Sequence, residues 1–372
     1  MVGIGFLSED ILKITAVDSF LLALPYRTSG GFHYIAGRPS NTLAMLLVRI
    51  STDDGLSGWG EAFGHAGAAA TKSMLDTLVA PLLIGERADD IGALMTSVRR
   101  KIHLFGLSGP GIYAVSGLDI ALWDLLGKRE GKSIAELLGR RRSDVPVYAS
   151  FLRCSSHGAL QQTCASAVAE GYRTVKLHEI TVDRIAAARQ VLGPDVALAV
   201  DTNCPWDLRE ATAMVETVRE LNLLWLEEPI WPPDDYATLA ALRNAGTPIS
   251  AGENVSSQCE FGRLLGANAL DILQPSVCKV GGISEMLKVL ALSNHYQVNT
   301  IPHCGYLGPG YAATLHLVST LEQAPLERLY IELDETPFPS IPAVVNGRTR
   351  VPAGAGLGCE VDMEIVEKYR VA

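Results

Sequence analysis

A chain of 372 residues with 48% hydrophobic and 19% charged positions can bury a large core, and its composition excludes long disordered tracts. Its 31 Lys and Arg against 41 Asp and Glu give a net charge of -10, a field that repels phosphate backbones and anionic lipid surfaces. Nucleic acid and membrane are therefore not expected as partners, and a carboxylate substrate would need positive charge gathered at its own site.

Residues 1–12 carry Glu9 and Asp10 and no basic segment, and no apolar run reaches the ~18 residues needed to cross a bilayer. Neither export nor insertion is expected. Seven cysteines, odd in number and without a CxxC pair, argue against a disulfide framework or a structural zinc site. A reducing cytoplasm fits them best.

Residues 13–62 alternate and turn like strands, ITAVDSFLLALP and then TLAMLLVRISTDDGLSGWGEA, with a hairpin turn at Asp53-Asp54-Gly55. Between them the Gly-rich loop TSGGFHYIAGR holds His33 and Tyr34, which either cover a site and meet substrate or belong to a plain surface loop. From Ala70 to Gly139 the periodicity becomes helical, in TKSMLDTLVAPLL, DDIGALMTSVRRKI and YAVSGLDIALWDLLGK.

After Val145 short apolar strands alternate with amphipathic stretches, the rhythm of parallel strands joined by crossovers. The strands are VPVYASF, TVKLHE, VALAVDTN, LLWLEEP, PISAGEN, LDILQPSV, VNTIPHC and RLYIEL, each but the last followed by a helix-like stretch. Eight such units predict an α/β fold of the TIM (β/α) barrel type. An open doubly wound sheet is the competing architecture, but no GxGxxG follows the first strand, so dinucleotide binding has no support.

Barrel chemistry sits at the C-terminal ends of the strands. Here those ends are polar: Lys176 and His178 on the second strand, Asp201 and Asn203 on the third, Glu227 and Glu228 on the fourth, Glu253 and Asn254 on the fifth. Asp201, Glu227 and Glu253 are spaced by 26 residues at each step, one βα unit, which sets three carboxylates at equal height on adjacent strands. Buried together without a cation they would repel until one took up a proton, whereas a hard divalent ion satisfies all three. All-oxygen ligation points to Mg²⁺, with Mn²⁺ as the alternative. The competing reading makes them separate helix caps or surface ion pairs.

These residues, with SGLDIALWDLLGK, CKVGG and the closing VPAGAGLG, resemble the enolase superfamily in its mandelate racemase and acid-sugar dehydratase branch, over nearly the whole chain. The resemblance implies a modified barrel at 141–344 under an α+β capping domain at 1–140, completed by the tail 345–372. It implies metal ligation by Asp201, Glu227 and Glu253, a catalytic histidine at His303, and a substrate-binding acid at Glu332. Lys176 matches the first lysine of a K-x-K motif. Closed homo-oligomers are also implied.

Two positions depart from the pattern: His178 replaces the second lysine of K-x-K, and Ser276 replaces the aspartate expected to pair with His303. Lys279 matches a lysine that serves as base in neighbouring branches, or else it neutralises the ligand acids from behind.

The implied reaction is loss of the proton α to a substrate carboxylate, with Lys176 or Lys279 adding charge and His178 or Lys279 as base. With His303 as acid, a hydroxylated carboxylic acid such as an acid sugar or a hydroxyproline loses water to give a 2-keto acid. Without a β-hydroxyl, reprotonation makes the enzyme a racemase or epimerase. A metal-dependent hydrolase lacks the usual H-x-H ligands, and a non-catalytic barrel scaffold would have lost the acids. His65 and His103 are read as packing residues more than as substrate contacts.

Overall fold

Alternation of apolar residues from Ile14 to Arg27 builds strand β1, which pairs antiparallel with β2 (Thr42–Thr52); β2 in turn pairs with β3 (Ser57–Ala62). In this computed structural model, residues 12–30, 33–35, 38–243 and 245–371 are described, the side chains of 33–35 and 38–39 excepted. His33 and Tyr34, expected to meet substrate, fall among those excepted side chains.

Helix α1 (Ile91–Ile102) starts where Asp90 accepts from Ala93 N at 2.8 Å. Helix α2 (Pro110–Glu130) starts with a proline in its first turn and stops at Gly131, left-handed at φ 64°. It is buried almost all round because it lies between the cap sheet and the barrel. The sheet can approach it so closely only through glycine: a Cβ on Gly60 would stand 2.0 Å from Gly117 O.

The barrel strands are β4 (Asp144–Ser150), β5 (Thr174–Leu177), β6 (Ala197–Asp201), β7 (Leu223–Glu227), β8 (Ile249–Ala251), β9 (Ile272–Leu273), β10 (Asn299–Thr300) and β11 (Leu326–Leu329). They pair in parallel in the order β10-β9-β8-β7-β6-β5-β4-β11. Helices α3 (His157–Ala169), α4 (Val182–Leu192), α5 (Leu208–Val218), α6 (Tyr236–Leu242), α7 (Gln258–Gly266), α8 (Ile283–Tyr296) and α9 (Pro309–Val318) follow β4 to β10 in turn. Inside, Tyr148, Ala199, Trp225 and Ile272 form a small apolar floor below the polar strand ends.

The eighth strand differs from expectation. It is LERL, not RLYIEL; Glu332 and Leu333 instead pair antiparallel with Arg27 and Tyr26 of β1. A charge inside a short strand breaks the apolar pattern by which strands are read, yet Glu327 is buried because partners from distant strands meet it. No helix follows β11 directly; the chain returns to the cap, and Val371 N donates to Leu21 O of β1 at 2.7 Å. Among the described residues, no helix is long and apolar enough to cross a membrane.

Candidate active site

Residues two apart on a strand face the same way, so Trp225 and Glu227 both point into the barrel, and the indole N–H donates to Glu227 Oε2 at 3.1 Å. Gln274 Nε2 donates to the same oxygen at 2.9 Å. On the neighbouring strand, Asp201 Oδ1 accepts from Asn203 N and Nδ2, both at 3.0 Å. Glu253 lies just past β8, its Oε1 3.1 Å from Lys279 Nζ and its Oε2 3.0 Å from His303 Nδ1. Chain reversals past these strands force Cys204 and Glu228 to positive φ (55° and 46°), strain of a kind that collects at functional sites.

Lys176 lies beneath the acids, fully buried, 3.3 Å from Asp201, 3.1 Å from Glu227 and 2.8 Å from Glu327. Burial would lower its pKa, but Glu227, Glu327 and Asp201 raise it well above the usual lysine value. Even so, the acids outnumber their cations. Burial, with Asp201 next to it, pushes Glu227 up to about 7, and burial with Glu253 raises Glu228 well above the carboxylate range. Glu253 is held low: burial opposes this, but His303 and Lys279 outweigh it.

Two histidines reach the solvent side of this cluster. His178 Nδ1 bonds to Phe151 O, and its Nε2 stands 3.2 Å from Asp201 Oδ2. His303 Nδ1 stands 3.3 Å from Glu327 Oε2 as well as near Glu253. Burial lowers both imidazoles, but the facing carboxylates outweigh it and raise them. Both rings line one cavity of about 330 Å³, together with Asn203 and Glu253 of the barrel and Tyr26, Phe63 and His65 of the cap.

A family model for the mandelate racemase/muconate lactonizing enzyme N-terminal domain matches residues 28–139, and one for an enolase C-terminal domain-like module matches residues 159–365. The chain belongs to the mandelate racemase/muconate lactonizing enzyme family. It is 32% identical to D-galactarolactone cycloisomerase of Agrobacterium fabrum over 97% of this chain and 99% of that one. It is 29% identical to arabinonate dehydratase of Saccharolobus solfataricus, over 90% and 93%. The solved L-talarate dehydratase of Polaromonas sp. JS666, complexed with Mg and L-glucarate, superposes at TM-score 0.85 with 30% identity, covering 97% of this chain and 98% of that one.

Within this family's fold, the structure brings Lys176, His178, Asn203, Asp201, Glu227, Glu253, Lys279 and His303 to one end of the barrel. Donor atoms of Glu227, Glu253 and His303 lie within 4.8 Å of one another, while Asp201 is turned to Lys176 and His178. Lys279 Nζ lies 3.1 Å from Glu253 Oε1, 2.7 Å from Asn254 Oδ1 and 4.7 Å from the centre of the Phe63 ring.

Glu332 is not brought to the site. Its side chain is 75% exposed and faces Arg27, because β1 draws that segment to the cap. Nor is His303 without an acid partner: Ser276 bonds Tyr306, while Glu253 and Glu327 face the imidazole. Glu327 and Gln274 were missed. An acid set between apolar neighbours and Arg328 in LERL was the available signal for the first. His65 lines the cavity, whereas His103 is exposed, with Nδ1 at Arg100 O.

Proposed function

We propose that this chain is a Mg²⁺-dependent dehydratase that removes the proton α to the carboxylate of a hydroxylated acid, an acid sugar first and a hydroxyproline-like acid second. The observation that carries this reading is that His178 and His303, from the second and seventh barrel strands, share one cavity above a cluster of acids. Asp201, Glu227 and Glu253 would hold the metal; Mn²⁺ is the alternative ion. The donor set fits: it is hard and oxygen-rich, and burial together with the neighbouring Asp201 charge pushes Glu227 up to about 7, a burden a cation would relieve. When bound, Mg²⁺ supplies Lewis-acid stabilisation of the charge that grows on the substrate carboxylate.

With its Nδ1–H donated to Phe151 O, His178 would offer the Nε2 lone pair to the α-proton once Asp201 Oδ2, 3.2 Å from that nitrogen here, turns to the ion it would hold. His303, its Nδ1 facing the carboxylates of Glu253 and Glu327, gives a proton from Nε2 to the β-hydroxyl. The C–H and C–O bonds break, water leaves, and the enol becomes a 2-keto acid. Lys176 and Lys279 keep the acid cluster from raising the barrier. Asn203 is placed to bond the substrate. Racemisation is the variant in which His303 returns the proton to the far face of the α-carbon.

A second reading has support in the 32% identity to a cycloisomerase over 97% of the chain. If the oxygen leaving the β-carbon belongs to a ring, it stays in the product, and the reaction is an isomerisation without loss of water.

The deciding experiment incubates the protein with Mg²⁺, sugar acids, their lactones and hydroxyprolines in deuterated water. A 2-keto product that has lost one water and gained solvent deuterium supports dehydration; a labelled structural isomer that has lost no water supports cycloisomerisation; label in recovered substrate or its epimer alone supports epimerisation. Absence of all three over a broad panel would return the chain to a scaffold. All seven cysteines are free thiols, which supports a cytoplasmic setting. A homo-oligomer belongs to the same reading, and sedimentation velocity tests it.

A further inference from the structure

Glu61, the next-to-last residue of β3, is fully buried where the cap meets the barrel. Its Oε2 accepts from Gly310 N at 2.9 Å in the first turn of α9, and the N–H of Gly308 also faces it. The fit is tight on the barrel side: a Cβ on Gly308 or Gly310 would lie 3.0 or 3.1 Å from that oxygen. Only glycine at both positions lets the helix end close on the carboxylate.

What each side carries gives the contact its meaning. Immediately after Glu61 the cap chain enters the cavity with Phe63 and His65; immediately before α9 the barrel chain runs through His303, Gly305 and Tyr306. His303 Nε2 and His65 Nε2 lie 3.2 and 3.7 Å from one point, the place of a Cβ on Gly305. The ring of Phe63 packs edge-on against Tyr306.

We propose that Glu61 is a positioning residue of this site: by anchoring β3 to the start of α9, it holds the His65 wall at a fixed distance from the His303 wall. The proposal builds on the catalytic reading of His303. Burial pushes Glu61 up to about 7 although the two backbone N–H groups lower it. The titratable groups facing it, Cys278, Cys304 and Tyr306, are kept neutral by burial, so the helix end is what meets its charge. A residue serving packing alone would gain nothing from a carboxylate there.

The test compares Glu61→Ala with Glu61→Gln, whose carbonyl can still accept from Gly310. Glu61→Ala should lower kcat about a hundredfold, the scale of a 1 Å misplacement, while the shift in melting temperature on adding Mg²⁺ stays that of wild type. Glu61→Gln should recover most of kcat. Amide hydrogen exchange should rise in Glu61→Ala only at 62–66 and 304–310. Should Glu61→Ala not fold, Glu61→Asp, which retracts the carboxylate by one methylene, takes its place. Wild-type kcat in Glu61→Ala, or faster exchange spread across the whole barrel, overturns the proposal. Exchange needs no substrate, so it decides the point even if the dehydratase reading fails.

Discussion

The ammonium of Lys176 lies 2.8 Å from the carboxylate of Glu327, and neither side chain has more than 1% of its surface open. A lysine sealed this way offsets the charge of the acids around it, and the strand it joins to β5 is the one the apolar pattern misplaced. Truncating one partner of a buried pair costs about 3–5 kcal/mol, because the other charge is left uncompensated. Lys176→Met should therefore lose stability on that scale in denaturant unfolding. Lys176→Met combined with Glu327→Gln should recover part of it. A loss below about 1 kcal/mol for the single variant would mean that solvent reaches the pair.

His178 and His303 divide the proposed proton transfers. His303→Asn should reduce water loss by roughly a hundred- to ten-thousandfold, the usual worth of a general acid, while exchange of the α-hydrogen with solvent persists. His178→Asn should lose both. Product assay and isotope uptake, measured on the same samples, separate the two. Loss of exchange together with water loss in His303→Asn would refute this division of roles.

Chelation should abolish turnover, and added Mg²⁺ should restore it. Because the ion would bind the folded chain alone, Mg²⁺ at a hundredfold its Kd should stabilise the protein by about 2.7 kcal/mol, read as a rise in melting temperature. Asp201→Asn, Glu227→Gln and Glu253→Gln should each diminish that rise. An equal rise in all three would place the ion elsewhere.

His316, on α9, carries the clearest pH signature away from the acids. Its Nδ1 accepts from Ala135 N at 3.2 Å and its Nε2 bonds Leu357 O at 3.0 Å, so the ring is used in its neutral form. Burial depresses its pKa from 6.5 to about 4. The unfolded chain thus binds the proton first, and stability falls as pH drops from 6.5 towards 4, by about 3 kcal/mol at most. Unfolding of His316→Gln should lack this slope; an unchanged slope would assign it to other groups.

The sequence made legible whatever repeats locally. Asp201, Glu227 and Glu253 were found because a βα unit of constant length returns each acid to the same height. The cap hairpin was found because Asp53 to Gly55 interrupts two alternating runs, and Gly55 does turn there at φ 86°. Glu327 was hidden because its burial depends on Lys176 and His303, which no window of the chain contains. The same blindness made Ser276 look like a lost partner for His303. Two acids from other strands face that imidazole, and no alternation or spacing announces such a meeting. His65 was read more as a packing residue than as a substrate contact, because the apposition of cap and barrel that sets it in the cavity is a tertiary fact.

The handover after the eighth barrel strand limits how this cavity can open. Glu332 and Leu333 leave the barrel straight into a ladder with Arg27 and Tyr26, and Val371 later bonds Leu21 on the same cap strand. The roof is thus tied by backbone to the end of the last barrel strand through Tyr26 and Arg27, with the tail bonded midway along the same strand, a linkage that opposes its swinging away as a rigid flap. A cavity roofed in this way would admit substrate and release product between the cap and the barrel rim, past residues such as Phe63 and His65 that line it.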